Sequence, residues 1–201
     1  MNCGNTMAKK FLVDVDDVLR SLVPHMVELY NKEFNDSFMT YDDVRIYYVN
    51  QSFPKVAEKY GDVPHWFFQE HGHELFYDSE PIKGAVEAVN KLHEYGTVEI
   101  VTKQRSTQNK VDTLMWLDKV GVQYDSVSFV RHKSIVCCDY FIDDFHENFI
   151  GCGSEGATGI LINAPYNRDI DLDILKPHTG FYRILRYDSI ADFVKDIDNI
   201  I

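Results

Sequence analysis

Short apolar runs recur along the chain, and stretches of helical length separate most of them. FLVDV (11–15), TVEIVT (97–102), SVSFV (126–130), IVCCD (135–139), YFIDD (140–144) and GILIN (159–163) read as strands. Between them apolar residues fall three or four apart. Val18, Leu22, Met26 and Leu29 follow the first run, and Ile82, Val86, Val89 and Leu92 precede the second. Val111, Leu114, Met115 and Val120 follow the second and are expected to face inward. Strands alternating with helices of roughly 10 to 15 residues make a parallel sheet covered on both faces. Pro81 suits a helix start and Gly96 its end, Ser106 caps a helix to about Lys119 that Gly121 stops, and RYDSIADFVKDI predicts a last helix with Asp188 as cap.

Residues 35–80 interrupt that rhythm. They are aromatic-rich, punctuated by Pro54 and Pro64, and predict short helices rather than strands. The segment is long for a crossover and is expected to form a small cap over the carboxyl ends of the strands. The fold class is therefore α/β: a Rossmann-like parallel sheet with helices on both faces and a small helical cap inserted after the first strand. The expected division is a core of residues 10–20 and 81–201 and a cap of residues 21–80. A chain of 201 residues accommodates one domain with such an insert.

The formal charge of -12 repels nucleic acid polymers and anionic membranes, and no Lys/Arg stripe offers a polymer track. No run approaches the roughly 20 apolar residues that span a bilayer, so no membrane association is expected. Cys3, Cys137, Cys138 and Cys152 lack metal-type spacing and suit a reduced compartment; a cytoplasmic protein is expected. The polar start, MNCGNTMAKK, is expected to fray. GCGSEGATG (151–159) is Gly-rich, but no GK[ST] follows, so it is no phosphate loop.

Two of the apolar strands end in acid. FLVDVD delivers Asp14 and Asp16, and YFIDD delivers Asp143 and Asp144. Ligands of open parallel sheets bind beyond the carboxyl ends of the strands. If the two strands are neighbours, their carboxylates share one crevice and repel each other unless a cation joins them. An all-oxygen donor set favours Mg²⁺. Metal beside carboxylates suits phosphoryl transfer, with Asp14 as nucleophile and Asp16, two residues on, as acid and base. A single acid after a strand also serves as a helix cap; two acid-ended strands favour a site. Thr102, ending TVEIVT, offers a hydroxyl to phosphate, and Lys133 balances phosphate and carboxylate charge. Lys103, Gln104, Arg105 and Asn109 lie near the same pole, with Arg105 the preferred extra contact.

DVDDVL (14–19), VTKQ (101–104), Lys133 and YFIDD together resemble the haloacid dehalogenase superfamily. The resemblance covers about residues 11–195. It implies that Asp14 is nucleophile and metal ligand, and that Asp16 is acid/base and binds Mg²⁺ through its carbonyl. It implies that Thr102 and Lys133 hold phosphate, and that Asp143 and Asp144 complete the metal site, with the direct ligand of the two left open. KSIVCCDYFIDD and the aromatic cap resemble the 5'(3')-deoxyribonucleotidases, which remove phosphate from deoxynucleoside monophosphates with Mg²⁺. One departure is Asp17, where that family often has Gly; it adds negative charge at the metal cleft unless it points into the following helix start, and since helix N-termini favour acids it is expected to be tolerated. Arg20 and Ser21 have no role in the pattern.

A nucleobase needs flat apolar walls. Tyr47, Tyr48, Trp66, Phe67 and Phe68 can supply them, or form the core of the cap, and Arg45 can steer an anion. His65, His71 and His73 do not converge as zinc ligands by spacing. The competing functions are a sugar-phosphate phosphatase or phosphotransferase on the same core, and a non-catalytic metal- or phosphate-binding module. A homodimer is left open.

Overall fold

The computed structural model describes residues 8–36, 38–133 and 137–201. Among the described residues, six parallel strands form one sheet in the order β3-β2-β1-β4-β5-β6. They are β1 (Lys9–Val13), β2 (Gly96–Thr102), β3 (Ser126–Phe129), β4 (Tyr140–Asp143), β5 (Thr158–Ile162) and β6 (Arg183–Tyr187). Alternation along the strands divides the core in two. Phe11 and Val13 of β1 join Ile100, Ile142 and Ile160 on one face, under Val89, Trp116 and Phe193 of the helices. Leu12 joins Val101, Phe141 and Leu161 on the other, under Phe149, Leu175 and Phe181. Both faces are buried, as parallel sheets require.

The helices after the insert are α5 (Ala85–Lys91), α6 (Thr107–Val120), α7 (Leu172–Leu175) and α8 (Ile190–Asp196). Ser106 caps α6, its side chain accepting the Asn109 amide at 3.0 Å, and Gly121 ends it at φ 78°. Of the four residues expected to face inward on α6, Val120 packs partly buried against the core and the other three do not. Val111, Leu114 and Met115 are 41%, 39% and 47% exposed, whereas Asn109, Asp112, Thr113, Trp116 and Leu117 are buried. The polar members of that face have partners. Asn109 donates to the Phe68 carbonyl at 3.1 Å, Asp112 meets His73 at 2.9 Å and Thr113 meets Arg20 at 3.2 Å. A helix wedged between sheet and insert turns toward those partners rather than by apolar count.

Other boundaries shift for identifiable reasons. Gly96 ends no helix: it begins β2, where a β-carbon would lie 1.8 Å from the Lys9 carbonyl oxygen. Pro81 pairs with Arg20 in an antiparallel bridge, and the helix starts later, at Ala85. Ser189 caps α8, while Asp188 accepts the Asn163 amide at 2.6 Å. β6 was concealed by its composition, RILRY, in which Arg186 reaches Asn163, Asn167 and Ile170. The IVCCD strand falls partly outside the described residues, as do MNCGNTM and Cys3; 137–139 are irregular.

The insert after β1 is helical. α1 (Leu22–Glu33), α2 (Val49–Ser52), α3 (Pro54–Tyr60) and α4 (Val63–His65) precede two π-helical turns, Trp66–Glu70 and Glu74–Asp78. Val18 lies before α1, in the turn that follows β1. The insert has its own apolar cluster, including Leu22, Met26, Phe53, Trp66 and Phe67, which also takes in Ala164 and Tyr166 from beyond β5. Its two connecting segments run side by side. Ser21 N donates to Glu80 O at 2.9 Å and Ile82 N to Leu19 O at 2.7 Å.

Candidate active site

Three adjacent strands converge on one crevice. β1 delivers Asp14, its neighbour β4 ends at Asp143 with Asp144 next, and its other neighbour β2 ends at Thr102. One carboxylate oxygen each from Asp14, Asp143 and Asp144 lies within 4.8 Å of the others, and all three residues are buried. Lys133 is buried between them, its Nζ 2.6 Å from Asp14 Oδ2 and 2.6 Å from Asp143 Oδ2. Asp14 Oδ1 accepts the amide of Val15 at 2.8 Å. Asp143 also accepts the Phe145 amide at 2.8 Å and the Asn148 side chain at 3.0 Å. Asp144 accepts the Tyr166 hydroxyl, and its carbonyl accepts from Asn167 at 2.6 Å.

Five carboxylates (Asp14, Asp16, Asp17, Asp143 and Asp144) crowd here against two cationic side chains, Lys133 and Arg20. Burial pushes the Asp14 carboxyl up to about 7 although Lys133 opposes the shift, with Asp143 and Asp16 adding repulsion. Burial raises Asp144 well above the carboxylate range, and Asp143 and Asp17 add to it. Lys133 is held charged by the two aspartates against its own desolvation. Such a cluster is short of positive charge, and its donors are all oxygen. It fits a divalent cation.

Thr102 bears on phosphate. The residue is fully buried, and among the described residues its Oγ1 has no hydrogen-bond partner. Buried hydroxyls are normally satisfied, so an orphan at the end of the strand next to β1 fits a ligand oxygen. Lys103 and Arg105 lie exposed beyond it, with Gln104 buried between them.

Asp17 takes the left-handed conformation, φ 54°. That explains the departure from Gly: Asp tolerates this region better than most residues. Its carboxylate accepts the Val23 amide at 3.0 Å, so it caps α1 in place of Ser21, which makes no side-chain cap. Burial pushes its carboxyl up to about 8, although the Val23 amide opposes the shift.

Asp16 is held from both sides. Its Oδ1 accepts Arg20 Nη2 at 2.6 Å and Nε at 3.0 Å, and its Oδ2 accepts Gln104 Nε2 at 2.7 Å. Arg20, Tyr166 and Asn148 were not singled out as site residues from the sequence. The four-residue spacing of Asp16 and Arg20 was the available signal for the first; nothing local signals the other two.

The aromatic residues divide. Trp66 and Phe67 are buried in the cluster of the insert, with Phe68 packed against it. Tyr47 instead stacks on Phe145, centroids 3.5 Å apart and planes 11° from parallel, with its hydroxyl held well above the usual range by burial and by Asp144, Asp14, Asp143 and Asp16. Tyr48 sets its edge to Phe145 and donates to Glu147 at 2.9 Å. Arg45 is exposed on the same segment. His65, His71 and His73 pair separately with Glu70, Glu74 and Asp112.

A family model described as 5' nucleotidase, deoxy (pyrimidine), cytosolic type C protein matches residues 8–193. The chain belongs to that family. A nucleotidase of Clostridium acetobutylicum is 25% identical over 162 residues, 78% of this chain and 81% of that protein. Among solved structures, a haloacid dehalogenase family hydrolase of Deinococcus radiodurans with bound phosphate and sodium covers 96% of each chain, with a TM-score of 0.58 and 14% identity. A haloacid dehalogenase-like protein of Streptococcus pneumoniae gives a TM-score of 0.61 at 10% identity, over 94% of this chain and 98% of that one. At such identities these two show the fold. Family and carboxylate cluster together make this nucleotidase-family chain a hydrolase of the haloacid dehalogenase superfamily, of phosphatase type. Among the described residues, no helix is long and apolar enough to cross a membrane.

Proposed function

We propose that the protein is a Mg²⁺-dependent phosphomonoesterase that dephosphorylates deoxynucleoside monophosphates through an aspartyl-phosphate on Asp14. The observation that carries this reading is the bridging of Asp14 and Asp143 by the buried Lys133, with Asp144 in the same carboxylate cluster and the orphaned Thr102 hydroxyl at the end of the neighbouring strand. The family match supports the substrate class.

Asp14, Asp143 and Asp144 would hold Mg²⁺, with the Asp16 carbonyl as a further donor; bound there, the cation neutralises phosphate oxygens and relieves the carboxylate repulsion. The residues of the chain do the rest. Thr102 and Lys133 hold the phosphate oxygens, with Lys103 and Arg105 as outer contacts. The Asp14 carboxylate attacks phosphorus. The bond from phosphorus to the leaving oxygen breaks as protonated Asp16 gives that oxygen its proton. Asp16, then ionised, takes a proton from water as the water oxygen attacks phosphorus. The acyl phosphate bond breaks, returning Asp14 and releasing phosphate.

Residues 21–80 act as the cap over a core of residues 10–20 and 81–201. Tyr47, Tyr48 and Phe145 supply the aromatic wall for the base, and Arg45 steers the anion. Trp66 and Phe67 belong instead to the apolar cluster of the insert, with Phe68 packed against it.

The test is phosphate release from deoxynucleoside, ribonucleoside and sugar monophosphates, with Mg²⁺ and with chelator, beside Asp14→Asn. Metal-dependent release from deoxynucleotides, lost in the variant, is the expected result. Release confined to sugar phosphates keeps the mechanism and removes the base wall. Silence from folded, Mg²⁺-loaded protein across the panel overturns the nucleotidase reading.

A further inference from the structure

Arg20 is fully buried and spends its guanidinium on three different parts of the molecule. Nε and Nη2 grip Asp16 Oδ1 at 3.0 and 2.6 Å. Nη2 also donates to Thr113 Oγ1 of α6 at 3.2 Å, and Nη1 donates to the Phe76 carbonyl at 2.6 Å. The group lies between the rings of Phe76 and Trp116, 5.0 and 5.2 Å from their centroids. Phe76 belongs to the second π-helical turn of the insert, whereas Asp16 follows β1. Arg20 itself stands at the root of the insert, bridged to Pro81.

Packing between two rings needs no carboxylate, and a buried arginine can be satisfied by carbonyls and hydroxyls alone. This one gives two donors to Asp16, whose side chain is 21% exposed while that of Arg20 is 0% exposed. The planar fork can fix a carboxylate's direction as well as its charge, which a lysine point charge cannot. Lys133 serves Asp14 and Asp143 instead, so the two cations divide the acids between them.

From this geometry we infer that Arg20 is a positioning residue for Asp16, tying the acid/base group to the place of the insert through the Phe76 carbonyl. The inference rests on the phosphomonoesterase reading above. Displacing the turn that carries Phe76 withdraws one of the Arg20 anchors and loosens its hold on Asp16. Proton delivery to the leaving oxygen then depends on the insert being in place.

The leaving group separates this role from a structural one. An alkyl phosphate, such as a nucleotide, needs its leaving oxygen protonated, whereas p-nitrophenyl phosphate leaves readily without help. Arg20→Met keeps the stem between the rings and removes the fork. With the protein folded by circular dichroism, release of the leaving alcohol in the first turnover, read by rapid quench, should slow by about 10²-fold for the alkyl phosphate, near the lower end of general acid contributions, and the p-nitrophenol burst by less than about threefold, while hydrolysis of the aspartyl-phosphate, where Asp16 is the base, slows for both. In an Asp16→Asn background the same change should add little, because the two residues act as one unit. Arg20→Lys, which retains charge and stem, should show the same skew at smaller size. Equal slowing of the first turnover on both substrates, an undiminished first-turnover rate on the alkyl phosphate, or additive losses with Asp16→Asn would overturn the inference. So would failure of both Arg20 variants to fold, which would make the residue structural. Wild-type turnover of the two substrates tests the phosphatase reading; the variant-to-wild-type ratios test Arg20.

Discussion

Lys133 Nζ meets Asp14 Oδ2 at 2.6 Å, with both side chains nearly sealed from solvent. The same ammonium reaches Asp143 at 2.6 Å, so one cation holds together the ends of two neighbouring strands. Removing one partner of a buried ion pair leaves an uncompensated charge. Lys133→Met should destabilise the metal-free protein by about 3–5 kcal/mol, read by denaturant unfolding, and abolish phosphate release. A stable variant with near-normal turnover would contradict this arrangement.

The acids set a pH dependence in the absence of metal. Asp14 is raised from 3.8 to about 7, and Asp17 from 3.8 to about 8, both chiefly by burial. An acid whose folded-state pKa lies above its unfolded value favours folding in its protonated form. The penalty is absent below about 4, grows as pH rises, and is complete above about 8. Metal-free protein should therefore lose stability between about pH 4 and 8, and Mg²⁺ should raise Tm more at pH 8 than at pH 5. Thermal melts with and without chelator at the two pH values check this. An equal metal effect at both would count against the cluster as the binding site.

Asp17 joins a left-handed backbone to a helix cap. Asp17→Ala loses the cap, at about 1 kcal/mol, and strains the turn by roughly 1–2 kcal/mol more. Asp17→Asn keeps the carbonyl acceptor and the tolerance for positive φ while removing a buried charge. It should be as stable as wild type or more so. Chemical denaturation of the pair tests the assignment, which fails if Asn is the worse substitute.

Tyr47 stacks on Phe145, which follows the Asp143–Asp144 pair at the end of β4. Such aromatic pairs contribute about 0.5–1.5 kcal/mol beyond area burial. If the wall binds a base, Tyr47→Ala should raise KM for a deoxynucleotide by about two- to tenfold and leave kcat on p-nitrophenyl phosphate near normal. Steady-state kinetics on both substrates decides it; an unchanged nucleotide KM would remove Tyr47 from the wall.

The parallel sheet was legible because strands buried on both faces must be continuously apolar, and FLV, YFI and GILI are. β6 was not, because Arg183 and Arg186 dilute its pattern and its one buried side chain, Ile184, gives no period. The acids were legible for a related reason: a carboxylate beside an apolar strand end is conspicuous in one dimension. Partners that stabilise it from distant segments, such as Tyr166 for Asp144 and Asn148 for Asp143, carry no such mark.

By itself, the sequence determined the class of sheet, the helical insert after β1 and the acid-ended strands, since each depends on local spacing and burial. Tertiary structure alone decided which face of α6 turns inward, which aromatic rings join the core of the insert and which stack on Phe145, and which cation serves which acid. Thr113 is buried, where its hydroxyl accepts from Arg20, while its neighbour Leu114 is 39% exposed. Such choices depend on contacts between residues 93 positions apart, for Arg20 with Thr113, and 88 apart, for Gln104 with Asp16. No periodicity along the chain encodes them.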